Sequence, residues 1–321
     1  MTNPVFAREA LNRFRGRRAW PFLLIWILGN GVVIYLLLIL ATSFDAGFGA
    51  LIGRRIVGPF MFQGVCVLMI LAIVMMIPGT AAVAVVGERE RQTLQLVQVT
   101  PLSPLEIVLG KLWSVLGYVG WLLAAVLPVI AAPLLLGGVR LWDVLSALLM
   151  LGLVAFTIAS LSMWVSARAK SSRAAVTGAY LIAFALLFGT PLLAVGELYV
   201  QTRFREEPSG ELWTMIPNPY IAVVAAVAHP LELEPIGDGA FFPGYEYLLN
   251  RDAAGAVFGQ AVPADRIVEQ DGHRLVRPSR PPLWILSGFV YLALSAFGIY
   301  RACRRVRTPA PSEFRVRRIR T

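Results

Sequence analysis

Glu88, Arg89, Glu90 and Arg91 stand side by side in a chain that is strongly apolar on either side of them. Two carboxylates interleaved with two guanidiniums form charge-assisted hydrogen bonds readily. Such a run either solvates a loop or makes polar contacts to another protein, and the pattern alone fits both equally. Thr93, Leu94, Leu96 and Val97 follow, then Pro101, Leu102, Ser103, Pro104, Glu106 and Lys111. Ser103, Pro104 and Glu106 make a helix-start signature: Ser103 caps, Pro104 takes the first helical position, and Glu106 closes a capping box. Upstream, Glu88, Arg91, Gln95 and Gln98 share one helical face, but Leu94, Leu96 and Val99 are scattered over the rest. The stretch reads as a poor amphipathic helix, with a period-2 reading of Leu94 to Leu96 left open.

Other chemistry is sparse. The chain carries no G-x-x-x-x-G-K-[ST] phosphate loop, no dinucleotide fingerprint, no H-E-x-x-H and no G-x-S-x-G. His229 with Glu232 and Glu234 could be drawn as a metal site, but three such residues in an acidic loop are more often solvated. No catalytic residue, metal site or cofactor bound by this chain is expected.

The elements around the charged run are membrane spans. Of 321 residues, 57% are hydrophobic and 15% charged, and the mean hydropathy is +0.69. That is too apolar for a soluble domain of this size. Six apolar runs, 20–41, 60–86, 112–136, 144–165, 174–195 and 282–300, each approach the roughly 20 residues that cross about 30 Å of hydrocarbon. The expected fold is an all-α polytopic membrane protein. Pro78, Pro128 and Pro133 are expected to kink or end their helices. The stretch 87–111 is then a loop between spans two and three.

The net charge of +10 and pI near 10.2 could suggest nucleic acid, but the basic residues flank apolar runs, and no nucleic-acid partner is expected. Most of the 29 Lys and Arg residues fall on one side if both termini are cytoplasmic, which puts 87–111 in the cytoplasm too. On this layout residues 1–19 form an N-terminal interfacial amphipathic helix or a plain basic anchor. Residues 20–196 hold spans one to five, 197–281 an extracytoplasmic loop, 282–300 span six and 301–321 a basic tail. The first run starts too late and is too long for a cleaved signal peptide. Within the outer loop, Tyr220 to Ala228 is too short to span. It reads as an interfacial or packed helix, with a re-entrant substrate element as the alternative. Cys66 and Cys303 imply no disulfide framework.

The run G-E-R-E-R-Q-T-L-Q-L-V-Q-V-T-P-L-S-P-L-E-I-V-L-G-K-L resembles the loop of type-2 ABC transporter permeases. Glu88, Glu90, Arg91, Thr93, Leu94, Thr100, Pro101, Leu102, Ser103, Glu106, Ile107, Gly110, Lys111 and Leu112 stand where that pattern has them. Gln92 replaces the family's usual glycine, and Gln95 its usual acidic residue. The resemblance implies two permease subunits, as a homo- or heterodimer, around a translocation path in the cell membrane. Each docks a separate cytoplasmic ATP-binding cassette ATPase, which carries the ATP and Mg, and the direction is export. It makes Glu88, Arg89, Glu90 and Arg91 polar contacts to that ATPase and Leu94, Leu96 and Val97 apolar ones. It also makes the bent start at Ser103 and Pro104 the route by which a push reaches span three.

No Asp, Glu, Lys, Arg or His lies well inside the six spans, which weakens an ion-coupled secondary transporter. A membrane enzyme would need polar groups converging at one depth, and none is found. A non-transporting scaffold remains as the alternative.

Overall fold

The computed structural model describes residues 19–43, 53–93, 103–136, 139–204, 213–227, 267–270, 273–276 and 283–307. The expected N-terminal interfacial helix, the tail beyond 307, the His229 cluster and most of the 197–281 loop lie outside the described residues.

Long helices follow the apolar runs: α1 (Ala19–Ser43), α2 (Gly53–Glu90), α3 (Pro104–Leu136) and α4 (Leu141–Arg168). Next come α5 (Ser172–Phe184), a π turn (Ala185–Gly189), α6 (Thr190–Phe204), and after the loop α8 (Leu283–Arg307). Between α6 and α8 a 3-10 turn (Trp213–Met215) leads into the short helix α7 (Pro219–Val227). Five stretches are long and apolar enough to cross a membrane: Met61–Glu90, Pro104–Leu135, Leu141–Arg168, Ser172–Glu197 and Trp284–Val306. α1 has 25 residues, with Leu24–Leu36 as its shorter apolar stretch. Helices satisfy their own backbone groups, which hydrocarbon requires. The chain is a multi-pass membrane protein.

One expectation changes and another narrows. α2 has 38 residues, about 57 Å at 1.5 Å per residue, so it overshoots the hydrocarbon and Gly87–Glu90 form its last turn rather than the start of a loop. Pro78 lies within α2, and Pro128 and Pro133 within α3. They end neither helix. Outside the helical part, strands β1 (Ile267–Gln270) and β2 (His273–Val276) pair antiparallel, with Ile267 opposite Val276.

α4 is the hub, packing against α2, α8, α5, α7 and α3. Val144, Ala147, Met150, Leu151, Val154, Ala155, Ile158 and Ala159 are buried along it. Lipid tails are as apolar as these side chains, so small residues and interhelical hydrogen bonds must hold the helices together. A Cβ at Gly298 of α8 would come within 2.9 Å of the Ser160 backbone of α4, so the contact is one that glycine permits. Thr157 and Ser295 share a hydrogen bond of 2.8 Å between the same helices. Tyr180 on α5 donates to the Met75 carbonyl of α2 at 2.6 Å.

α7 is a packed helix, with Ile221 to Ala225 buried. Asn218 caps it by accepting from the Tyr220 and Ile221 amides at 2.9 and 3.1 Å. The Asn218 amide donates to the Leu187 carbonyl in the π turn at 3.1 Å and to the Thr190 hydroxyl at 2.8 Å. On the other side Tyr291 donates to the Pro217 carbonyl and Ser287 to the Ile216 carbonyl, both at 2.8 Å.

Candidate functional site

The charged run sits where α2 stops. Gln92 N–H donates to the Arg89 carbonyl at 3.1 Å and Thr93 N–H to the Glu88 carbonyl at 2.9 Å. This pair of bonds is a Schellman closure, whose outer residue adopts the left-handed conformation that glycine favours. That residue is Gln92, with φ 58°, and it is the position where the resembling permeases usually have glycine.

Around this closure, three of the four charged residues turn to other helices of the same chain. Glu88 Oε1 lies 2.6 Å from Lys111 Nζ on α3, and the Lys111 side chain is 1% exposed. Arg89 donates to the Ala167 and Ala169 carbonyls, both at 3.1 Å, at the end of α4. Those carbonyls face away from further helix and need donors, and a guanidinium at a helix C-terminus also suits the helix dipole. Glu90 accepts from the Ser172 amide at 2.7 Å and from its hydroxyl, at the first turn of α5. A carboxylate there completes the orphan amides left by the Ser171 cap. One turn back, Ser166 Oγ accepts from the Val85 and Val86 amides at 3.1 Å each. α2, α3, α4 and α5 are therefore fastened together at one end of the bundle.

The far side of the loop re-enters α3 as its sequence demands. Ser103 N–H and Oγ–H donate to Glu106 Oε2 at 2.7 and 2.8 Å, and the Glu106 amide donates to Ser103 Oγ at 3.3 Å. Pro104 opens the helix behind that cap. Arg91 and Thr93 are exposed. Leu94, Leu96, Val97, Pro101 and Leu102 lie outside the described residues.

The family comparison covers this region. Residues 57–199, which include the whole fastened end, match the family described as ABC-2 family transporter protein. Over those residues the chain is similar to the membrane subunit of a type-2 ABC transporter. A search of curated proteins gives no match. Members of that family are membrane transport components.

Sequence reasoning placed the charged run and the cap but missed the partners of the former. Ser166, Ser172 and the carbonyls of Ala167 and Ala169 carry no motif, and a serine or a bare carbonyl announces nothing until helix ends are set beside one another. Asn218 is the other miss. Its position just ahead of Pro219 is a cap signal that the apolar run behind it overshadowed.

Proposed function

We propose that this permease forms the translocation path of an ATP-driven exporter, paired with a second permease subunit, and that the 87–111 segment is gripped by a separate cytoplasmic ATPase holding ATP and Mg. The bundle has six spans, with α1 as the first, and both termini are cytoplasmic. The observation that supports coupling is the fastening at the end of α2. A push on the loop reaches α3 through the Glu88–Lys111 pair as well as the capped start at Ser103. It reaches α4 and α5 through Arg89 and Glu90. Packed helices respond to such displacements as rigid bodies. Among the described residues, no Asp, Glu, Lys, Arg or His lies in the middle of the five apolar stretches, so their centres offer no charged group to bind a driving ion.

The test is purification under membrane-preserving conditions. An ATP-binding cassette ATPase is expected to accompany the permease, and its hydrolysis to change when Glu90 or Leu94 is replaced. A permease that transports without any ATPase contradicts the proposal.

A further inference from the structure

The turn between α4 and α5 lies against the end of α2, held there by Arg89 through the Ala167 and Ala169 carbonyls and by Glu90 through Ser172. Its own charged side chains, Arg168, Lys170 and Arg173, all carry one sign and all are exposed, as is Arg91 on the adjoining turn. The charge of Arg173 reaches the Glu90 carboxylate, which is held chiefly by the Ser172 hydrogen bonds, and among the described residues Arg91, Arg168 and Lys170 form no salt bridge. The nearby carboxylates are engaged: Glu88 by Lys111, Glu90 by the Ser172 amide and hydroxyl. The fastening therefore gathers four exposed cations onto the end of the bundle, beside the exposed carboxylate of Glu90.

We infer that the 168–173 turn and Arg91 form a second, basic half of the docking face, and that its occupant is an acidic patch on the same ATPase that grips 87–111. The inference rests on the reading of the permease as an ATPase-coupled subunit. Charge complementarity selects the occupant, since a cluster of exposed cations in excess over its one exposed carboxylate favours an opposing cluster of carboxylates. A flat anionic leaflet fits less well, because Arg91 and Lys170 stand on turns past the last residues of α2 and α4. The exposed Glu90 carboxylate lies among them and would be repelled by that leaflet. A folded protein surface can complement both signs. The face would then touch the α2–α3 and α4–α5 connections together, so that the Arg89 bonds keep two contact points of one partner at fixed spacing.

The test uses the full complex of permease and co-purifying ATPase in lipid, with p-benzoyl-phenylalanine placed at position 91 or 170. Adducts with the ATPase are expected from both positions. An adduct from 91 but not 170 overturns the inference and leaves the coupling reading standing, whereas no ATPase adduct from either overturns both. A lipid adduct alone from 170 assigns the turn to the leaflet and also overturns the inference. As a second arm, Lys170→Glu/Arg173→Glu should keep the wild-type melting temperature and weaken ATPase binding about tenfold at low salt. That difference should shrink as salt shortens the screening length. Unchanged affinity of this double variant overturns the inference.

Discussion

The ammonium of Lys111 sits 2.6 Å from the carboxylate of Glu88, with the lysine side chain 1% exposed and the glutamate 27%. Removing one partner of such a pair leaves a desolvated charge, at a cost of about 3 kcal/mol, the low end for buried pairs because Glu88 is partly open. Glu88→Gln is thus expected to lower the apparent melting temperature by several degrees. Glu88→Leu/Lys111→Met, which removes both charges, should recover most of the loss. Equal destabilisation by single and double variants in a thermal melt would contradict the pairing.

Gln92 holds a backbone conformation that suits glycine. The left-handed region costs a side-chain-bearing residue about 1–2 kcal/mol, so Gln92→Gly should stabilise the end of α2 by about 1 kcal/mol, net of the entropy glycine adds to the unfolded chain. Gln92→Val should do the reverse. Melting curves in one detergent separate these outcomes.

Asn218 is 3% exposed and joins α7 to the π turn through both ends of its amide. Asn218→Ala loses the cap and leaves buried partners unmatched, about 2 kcal/mol together. Asn218→Asp keeps the acceptor but not the donor and should fall between. Hydrogen exchange at the Tyr220 and Ile221 amides should accelerate most in the alanine variant.

Gly298 lets α8 approach the Ser160 backbone of α4. In Gly298→Ala the added methyl meets backbone and not a side chain that could rotate away. The helices must separate, at about 1–3 kcal/mol. The effect should appear as a lowered melting temperature, while Gly152→Ala, at a position with open space beside it, should be near neutral.

Much of the helical layout was legible because apolar length and capping are local signals. Five of the expected runs fall within helices long enough to span, and Ser103 and Glu106 close the box their spacing implied. The attachment of Glu88, Arg89 and Glu90 to neighbouring helices was not legible. It depends on Lys111, Ala167, Ala169 and Ser172, up to 82 residues away along the chain, and no periodicity links such positions. Pro78, Pro128 and Pro133 end none of their helices for a related reason. Neighbouring helices can support the backbone freed by Pro78, Pro128 and Pro133 inside a packed bundle. The small hairpin was signalled by Asp271 and Gly272 between two short β-prone runs, a signal hidden in a loop read mainly by its charge.

The central claim is that a nucleotide-burning partner acts on this bundle through the segment between α2 and α3. The most direct measurement is ATP hydrolysis by the co-purified ATPase, reconstituted with wild-type permease or with Arg91→Ala/Leu94→Ala. Truncating contact residues worth about 1.4 kcal/mol changes affinity tenfold. The account predicts that the variant needs about tenfold more permease to reach the permease-dependent rate, with its melting temperature unchanged. Identical hydrolysis and identical affinity in the two preparations would contradict it.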